Sequence, residues 1–162
     1  MFILNTGGTF NKRYNPTTGT LDVPFDNRAL EQIASRFTYN STIAGAVYKD
    51  SVDFTGDDRK IIANIVMASD EKKIVIVHGT DTMHLSAAYF SEIFEDRVIV
   101  FTGAMVPYEI DNVEATANFA MALGYAEAQS ENGVYICMQG VVGRHDSIEK
   151  NRALGRFEFV QG

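Results

Sequence analysis

Short apolar runs that break at polar turns alternate along this chain with segments whose apolar residues recur at helical spacing. Apolar runs at residues 1–4, 43–48, 73–77, 98–101 and 134–138 read as strands, most of them continuous enough to be buried on both faces. Between the first two, Leu30, Ile33, Ala34 and Phe37 follow the i, i+3, i+4, i+7 rule of an amphipathic helix. Thr55 and Asp58 form a capping-box pattern ahead of Ile61, Ile62, Ile65 and Val66, which share one helical face. Residues 82–95, with Leu85, Ala88 and Tyr89, predict another helix, as do Ala115, Phe119, Ala122, Leu123 and Ala126. Strands separated by such helical segments predict an α/β domain, a parallel sheet with helices on both faces of flavodoxin-like or Rossmann-like type. Residues 139–162 lose the helical period and end in the alternation Phe157-Glu158-Phe159-Val160, which predicts an irregular segment with a short edge strand or hairpin. The polar stretch 10–27, rich in Asn, Thr, Gly and Pro, is long enough to act as a lid.

Composition narrows the class. The chain has 162 residues, 46% of them apolar and 22% charged, which suits one domain with a sizeable core. No apolar run approaches the roughly eighteen residues needed to span a bilayer. The N-terminus lacks a charged-then-apolar leader pattern, and the single cysteine, Cys137, has no internal disulfide partner. A cytoplasmic protein is the expectation, with Cys137 packed inside its strand. The net charge of −7, without a basic cluster, disfavours nucleic acid and membrane surfaces as partners and leaves a small-molecule substrate.

Candidate chemistry sits directly behind two of the strands. Thr6-Gly7-Gly8-Thr9 follows the first, and His78-Gly79-Thr80-Asp81-Thr82-Met83 follows the third. Ligands of open parallel sheets bind beyond the carboxyl ends of strands. A threonine hydroxyl there needs a neighbouring base to become a nucleophile, and backbone N–H groups of glycine turns can stabilise a developing oxyanion. Thr9 suits the attacking role, and Thr80 with Asp81 forms a second centre if a lysine reaches it. The first motif lacks the lysine of a phosphate-binding loop, so nucleotide binding is disfavoured. His78, His84 and His145 lack metal-ligand spacing, so no metal or organic cofactor is expected. His78 reads as a residue that orients neighbouring backbone, and Thr82 as the cap of the helix that follows.

Together, in this order and each behind a strand, the two motifs resemble the bacterial-type L-asparaginases, a family of threonine amidohydrolases. The resemblance implies that residues 1–162 correspond to the family's N-terminal domain alone, without the C-terminal domain of typical members. It matches Thr9 to the primary nucleophile, and Thr80, Lys150 and Asp81 to a second catalytic triad. Lys150 is reached through Gly143-Arg144-His145-Asp146 and Glu149-Lys150-Asn151, similar to the family's Gly-Arg and Thr-Lys-Thr-Asn stretches. Asp81 also matches the carboxylate that holds the substrate α-amino group, and Gly8 and Gly79 line the substrate turns. Ser51, in Lys49-Asp50-Ser51-Val52-Asp53, matches the binder of the substrate α-carboxylate. Ala104, in Thr102-Gly103-Ala104-Met105, matches the residue whose carbonyl faces the leaving amide, and Glu114 with Asn118 matches an Asp-to-Asn pair in spacing.

The departures are specific. Val52 stands where many relatives have Gln, and Val106 where Arg usually follows the Met. The loop tyrosine of a Gly-Tyr-x-Pro stretch is missing from Gly19-Thr20-Leu21-Asp22-Val23-Pro24, which leaves Tyr14 as the candidate substitute. An acidic residue that a neighbouring subunit supplies in full-length members has candidates here in Glu109 and Asp111. By this resemblance the chain hydrolyses L-asparagine to L-aspartate and ammonia through an acyl-threonine intermediate, as a homo-oligomer (dimer or tetramer). The alternatives are an amidohydrolase for glutamine or another amide, and a non-catalytic amino-acid or amide-binding module.

Overall fold

A computed structural model describes residues 1–38 and 40–160. In chain order it holds β1 (Phe2–Gly7), a 3-10 turn (Thr9–Asn11), β2 (Arg13–Asn15), β3 (Thr20–Asp22), α1 (Arg28–Ala34) and β4 (Thr42–Lys49). A second 3-10 turn (Ser51–Asp53), α2 (Gly56–Met67), β5 (Lys73–Val77), α3 (Met83–Ser91) and β6 (Val98–Thr102) follow. The chain then forms α4 (Asn112–Ala128), β7 (Gly133–Met138), β8 (Val141–Arg144), β9 (Ile148–Asn151) and β10 (Arg156–Phe159).

The main sheet runs β4-β1-β5-β6-β7-β8, parallel throughout except for the antiparallel edge strand β8. Period-two alternation sends successive side chains to opposite faces, and both are covered. Leu4, Ile74, Ile76, Ile99 and Phe101 pack with Ile62 and Val66 of α2 and Ala87 and Phe90 of α3. Ile3, Val75, Val77, Val98 and Val100 pack with Leu30 and Ile33 of α1 and Ala115, Phe119 and Ala122 of α4. The expected layered α/β architecture is therefore present. The capping box is present too: the Thr55 N–H donates to Asp58 at 2.8 Å, and the Asp58 N–H donates to Thr55 Oγ1 at 3.2 Å.

Chain order places the two motifs side by side. After β1 the chain adds β4 on one flank, then returns to lay β5 on the other flank of β1. That reversal makes the carboxyl ends of β1 and β5 a topological switch point, where such sheets open a crevice.

Three segments differ from the sequence expectation. β1 extends through Gly7 instead of ending at Leu4. The polar stretch 10–27 is partly ordered as a β2–β3 hairpin, in which Tyr14 pairs with Leu21. Between Asn5↔Gly45 and Gly7↔Lys49 the β1–β4 register slips, and Val47 (φ 70) and Tyr48 (φ 49) take left-handed backbone there. Such a conformation at a β-branched residue costs on the order of 1–3 kcal/mol. It swings the segment from Lys49 to Ser51 over the end of β1.

The C-terminal segment forms an edge strand and a hairpin, as its alternation suggested. Ile148 and Phe157 of the β9–β10 hairpin are buried against the α2–α3 face of the sheet. Lys150, two residues after Ile148 in β9, shares its inward face. None of the helices among the described residues is long and apolar enough to cross a membrane.

Candidate active site

Three backbone turns stack at the switch point. Gly8 has φ 73, and its N–H donates to the Lys49 carbonyl at 2.9 Å. A Cβ on Gly8 would stand 2.5 Å from the Gly79 nitrogen, and one on Gly79 would stand 2.5 Å from Ser51 Oγ. Only glycine lets the ends of β1, β5 and the Ser51 turn approach so closely. Thr9 and Thr80, each following one of these glycines, are thereby carried on adjoining turns. The Thr6 hydroxyl, donating to the Val77 carbonyl at 2.9 Å, ties the two strand ends together from below.

Thr80 lies within a charged cluster. Lys150 Nζ donates to Thr80 Oγ1 at 2.8 Å and to Asp81 Oδ1 at 2.9 Å. Burial of Ile148 and Phe157 holds the hairpin down, so Lys150 arrives from far along the chain with its side chain only 12% exposed. Arg152 Nη1 donates to the same Asp81 oxygen at 2.8 Å, and its Nη2 to the Asp81 carbonyl at 2.8 Å. The Lys150 hydrogen bond, offset in part by burial and reinforced by Arg152, holds the Asp81 carboxyl below its usual range. Arg152 was not among the expected site residues. Its sequence signal is a run of charged residues, which alone reads as a solvated surface.

His78 fixes the Thr80 turn from beneath. It is fully buried, and its Nδ1 meets the Gly79 carbonyl at 2.8 Å. A carbonyl only accepts, so Nδ1 carries the proton. Nε2 then accepts from Ser86 Oγ at 2.9 Å, and that oxygen accepts from Arg59 Nε at 3.1 Å. Burial pushes the His78 pKa down to about 4, so the ring is neutral at pH 7 and orients backbone, as its position suggested.

Ser51 is also fully buried, and its Oγ accepts the N–H groups of Asp81 (3.2 Å) and Thr82 (3.3 Å). It braces the Thr80 turn and retains one hydroxyl proton for a further acceptor. Thr82 corrects an expectation. It stands at the N-cap position of α3, but its hydroxyl makes no helix cap. It donates instead to the Ser51 carbonyl at 2.7 Å, because the Ser51 turn passes within reach.

The turn after β6 is held by α4. Glu114 accepts from the N–H of Met105 (3.0 Å) and of Val106 (3.0 Å), and Asn118 Nδ2 donates to the Gly103 carbonyl at 3.0 Å. Ala104 lies inside this cradle, fully buried. Asn118 Oδ1 accepts from the Gln139 N–H at 2.8 Å, and Gln139 Oε1 accepts from the Phe157 N–H at 2.9 Å. Phe157 is the register partner of Lys150. Gln139 thus links the Ala104 turn to the strand pair that carries the lysine, a role no local motif announces.

Thr9 and Tyr14 share no hydrogen bond among the described residues. The Thr9 hydroxyl has no hydrogen-bond partner among the described residues, and Tyr14 is 63% exposed on the β2–β3 hairpin. That hairpin is moored at its base by Asn11, whose Nδ2 donates to the carbonyls of Pro24 and Asp26 at 3.0 Å. An Arg13–Asp26 ion pair adds to the mooring. Among the described residues no three His, Cys, Asp or Glu side chains converge as metal ligands would.

Comparison with known proteins agrees with this geometry. The family model for the asparaginase N-terminal domain matches residues 1–161. Among curated relatives, a subunit of the glutamyl-tRNA(Gln) amidotransferase from Methanococcus maripaludis is 30% identical over 87% of this chain and 35% of its own length. The corresponding amidotransferase subunit from Archaeoglobus fulgidus is 28% identical over 97% of this chain and 40% of its own. Among solved structures, L-asparaginase I from Vibrio cholerae superposes with a TM-score of 0.80 at 27% identity, over 98% of this chain and 50% of its own. The thermostable L-asparaginase from Thermococcus kodakarensis gives 0.84 at 23% identity, over 99% of this chain and 51% of its own, a likeness of fold. The chain thus spans about half or less of each relative's length. With the family model matched nearly end to end, and both glycine-threonine turns packed at the switch point of its sheet, this chain belongs to the asparaginase N-terminal domain family.

Proposed function

We propose that the chain is an amidohydrolase that releases ammonia from the side-chain amide of L-asparagine, free or within a larger molecule. The observation that carries this reading is Lys150 Nζ bridging Thr80 Oγ1 and Asp81 Oδ1, on a turn that abuts the one bearing Thr9. Thr9 Oγ attacks the amide carbon, forming a C–O bond. As the C–N bond breaks, the nitrogen leaves as ammonia with the proton that Thr9 gives up. Water then attacks the acyl-threonine ester and passes a proton to the Thr80–Lys150 pair; the C–O bond to Thr9 breaks, Thr9 Oγ takes that proton back, and the acid departs. The backbone N–H groups of Thr9 and Thr80 make no hydrogen bond among the described residues, which leaves them as donors for the developing oxyanion. Asp81 keeps Lys150 oriented, and Glu114 and Asn118 position the Ala104 turn on the far side of the cleft.

A glutamine-type amide is the second reading. It is favoured by the relatives named as glutamyl-tRNA(Gln) amidotransferase subunits. Self-association as a dimer or tetramer belongs to the same proposal.

Ammonia release from L-asparagine and L-glutamine, with Thr9→Ala as control, tests the reading. Release that disappears in the control supports it, and the preferred amide selects the substrate. Two-digit percentages of residual turnover in Thr9→Ala would remove Thr9 from the mechanism. Binding of an amino acid without any release would point to a non-catalytic module.

A further inference from the structure

Arg152 stands where a free amino acid would have to bring its charge. Asp81 is the carboxylate set beside Thr80, and its Oδ1 already receives Lys150 Nζ at 2.9 Å and Arg152 Nη1 at 2.8 Å. The Asp81 carbonyl is occupied as well, by Arg152 Nη2 at 2.8 Å. A free L-asparagine carries an α-ammonium. Set against Asp81, that ammonium would meet a guanidinium that already pairs with the carboxylate and cannot give up its charge.

The surroundings beyond Asp81 tell the same way. His84 is held toward its neutral form by burial and by the nearby charges of Arg152 and Arg59. His84, Lys150, Arg152 and Glu149 line an open cavity of about 200 Å³, beside the Lys150 and Arg152 side chains that hold Asp81. Glu149 is the one acidic residue in that lining. A guanidinium has five N–H donors, of which Arg152 uses two on Asp81. The rest remain for an acceptor in the cavity.

We propose that Arg152 is a specificity-determining residue that turns the site away from a free α-ammonium and toward an asparagine whose α-nitrogen is acylated, as in an N-acyl or peptide-linked asparagine. An acylated nitrogen is uncharged and does not compete for Asp81. Its acyl carbonyl accepts from the spare Arg152 N–H groups, and the rest of the acyl chain follows the cavity. This inference rests on the amidohydrolase reading above and names the substrate class of the same site.

The test compares L-asparagine, N-acetyl-L-asparagine and glycyl-L-asparagine in ammonia-release assays on the wild type and Arg152→Gln. The Arg152 side chain is 62% exposed, so the variant keeps the fold, which an unchanged Tm verifies. The expected wild-type kcat/KM is about tenfold or more higher for the acylated substrates, the scale of one like-charge juxtaposition in a partly exposed site. Arg152→Gln is expected to erase that preference, mainly through KM. A parallel calorimetric titration with L-aspartate and N-acetyl-L-aspartate reads the same preference without turnover.

A wild type that favours free L-asparagine, or a preference unmoved in Arg152→Gln, overturns the role of Arg152 and leaves the amidohydrolase reading standing. No ammonia from any substrate, with tighter N-acetyl-L-aspartate binding that Arg152→Gln removes, upholds the recognition role and overturns the catalytic one. Neither release nor binding overturns both.

Discussion

Gly8 and Gly79 lie backbone against backbone, so that a Cβ added to Gly8 would stand 2.5 Å from the Gly79 nitrogen. That approach sets the turn carrying Thr9 against the turn carrying Thr80. Gly8→Ala would combine this overlap with a left-handed φ of 73 that alanine tolerates poorly. The expected loss is about 2 kcal/mol or more, a Tm drop of roughly 4–8 °C, with turnover lost more steeply than stability. Thermal melts alongside ammonia release check this, and wild-type turnover in Gly8→Ala would show that the turns need not touch.

Lys150 is expected to matter for chemistry far more than for folding. Its removal leaves Asp81 paired with Arg152, so no carboxylate is stranded. Lys150→Met should lower kcat by about a thousandfold, the scale of losing one member of a catalytic group, with a Tm near that of the wild type. A variant that keeps most of its kcat would make the Thr80–Lys150 contact a structural bond only.

The pH dependence of stability separates buried His78 from half-buried Asp81. His78 has its folded pKa lowered to about 4, whereas an unfolded histidine takes up its proton near pH 6.5. The unfolded state therefore binds more protons between these values, and stability falls as the pH is lowered from 6.5 to 4, by about 3 kcal/mol. His78→Asn should flatten this part of a denaturation series. The folded carboxyl of Asp81 is depressed instead, chiefly by Lys150. Its contribution is present above the unfolded value near pH 4 and disappears as the pH falls through the lower folded value. Asp81→Asn should change the series only in that more acidic range.

Gln139 is expected to act on Lys150 at one remove. Its side chain receives the Phe157 N–H, and Phe157 pairs with Lys150 in the hairpin. Gln139→Ala should reduce kcat by about tenfold with KM nearly unchanged, as loss of a supporting hydrogen bond does, while Gln139→Glu, which keeps the acceptor, restores most of it. Equal losses in both variants would argue against this chain of contacts.

Much of the site was readable because it is built from backbone that only certain residues permit. Glycines at the ends of two apolar runs signalled turns at strand termini, and the helical spacings between runs signalled a parallel sheet. The Thr55–Asp58 capping box is local for the same reason: both partners lie within one helical turn.

Thr82 shows where local reading fails. Its position at the start of α3 suggested a cap, but its hydroxyl goes to the Ser51 carbonyl, a partner supplied by a segment thirty-one residues earlier. Arg152 looked like one charge in a solvated run. It became part of the site when burial of Ile148 and Phe157 folded the hairpin back over Thr80.

The sequence by itself determined the elements, the two-faced core and the glycine-threonine turns, since these follow from periodicity and from which φ values a residue allows. Tertiary structure alone decided that Gly8 meets Gly79, that Lys150 reaches Thr80 from seventy residues away, and that Arg152 shares Asp81 with it. Those contacts are set by strand order and by how deeply a distant hairpin buries its apolar side chains, and neither quantity is encoded in any short stretch of chain.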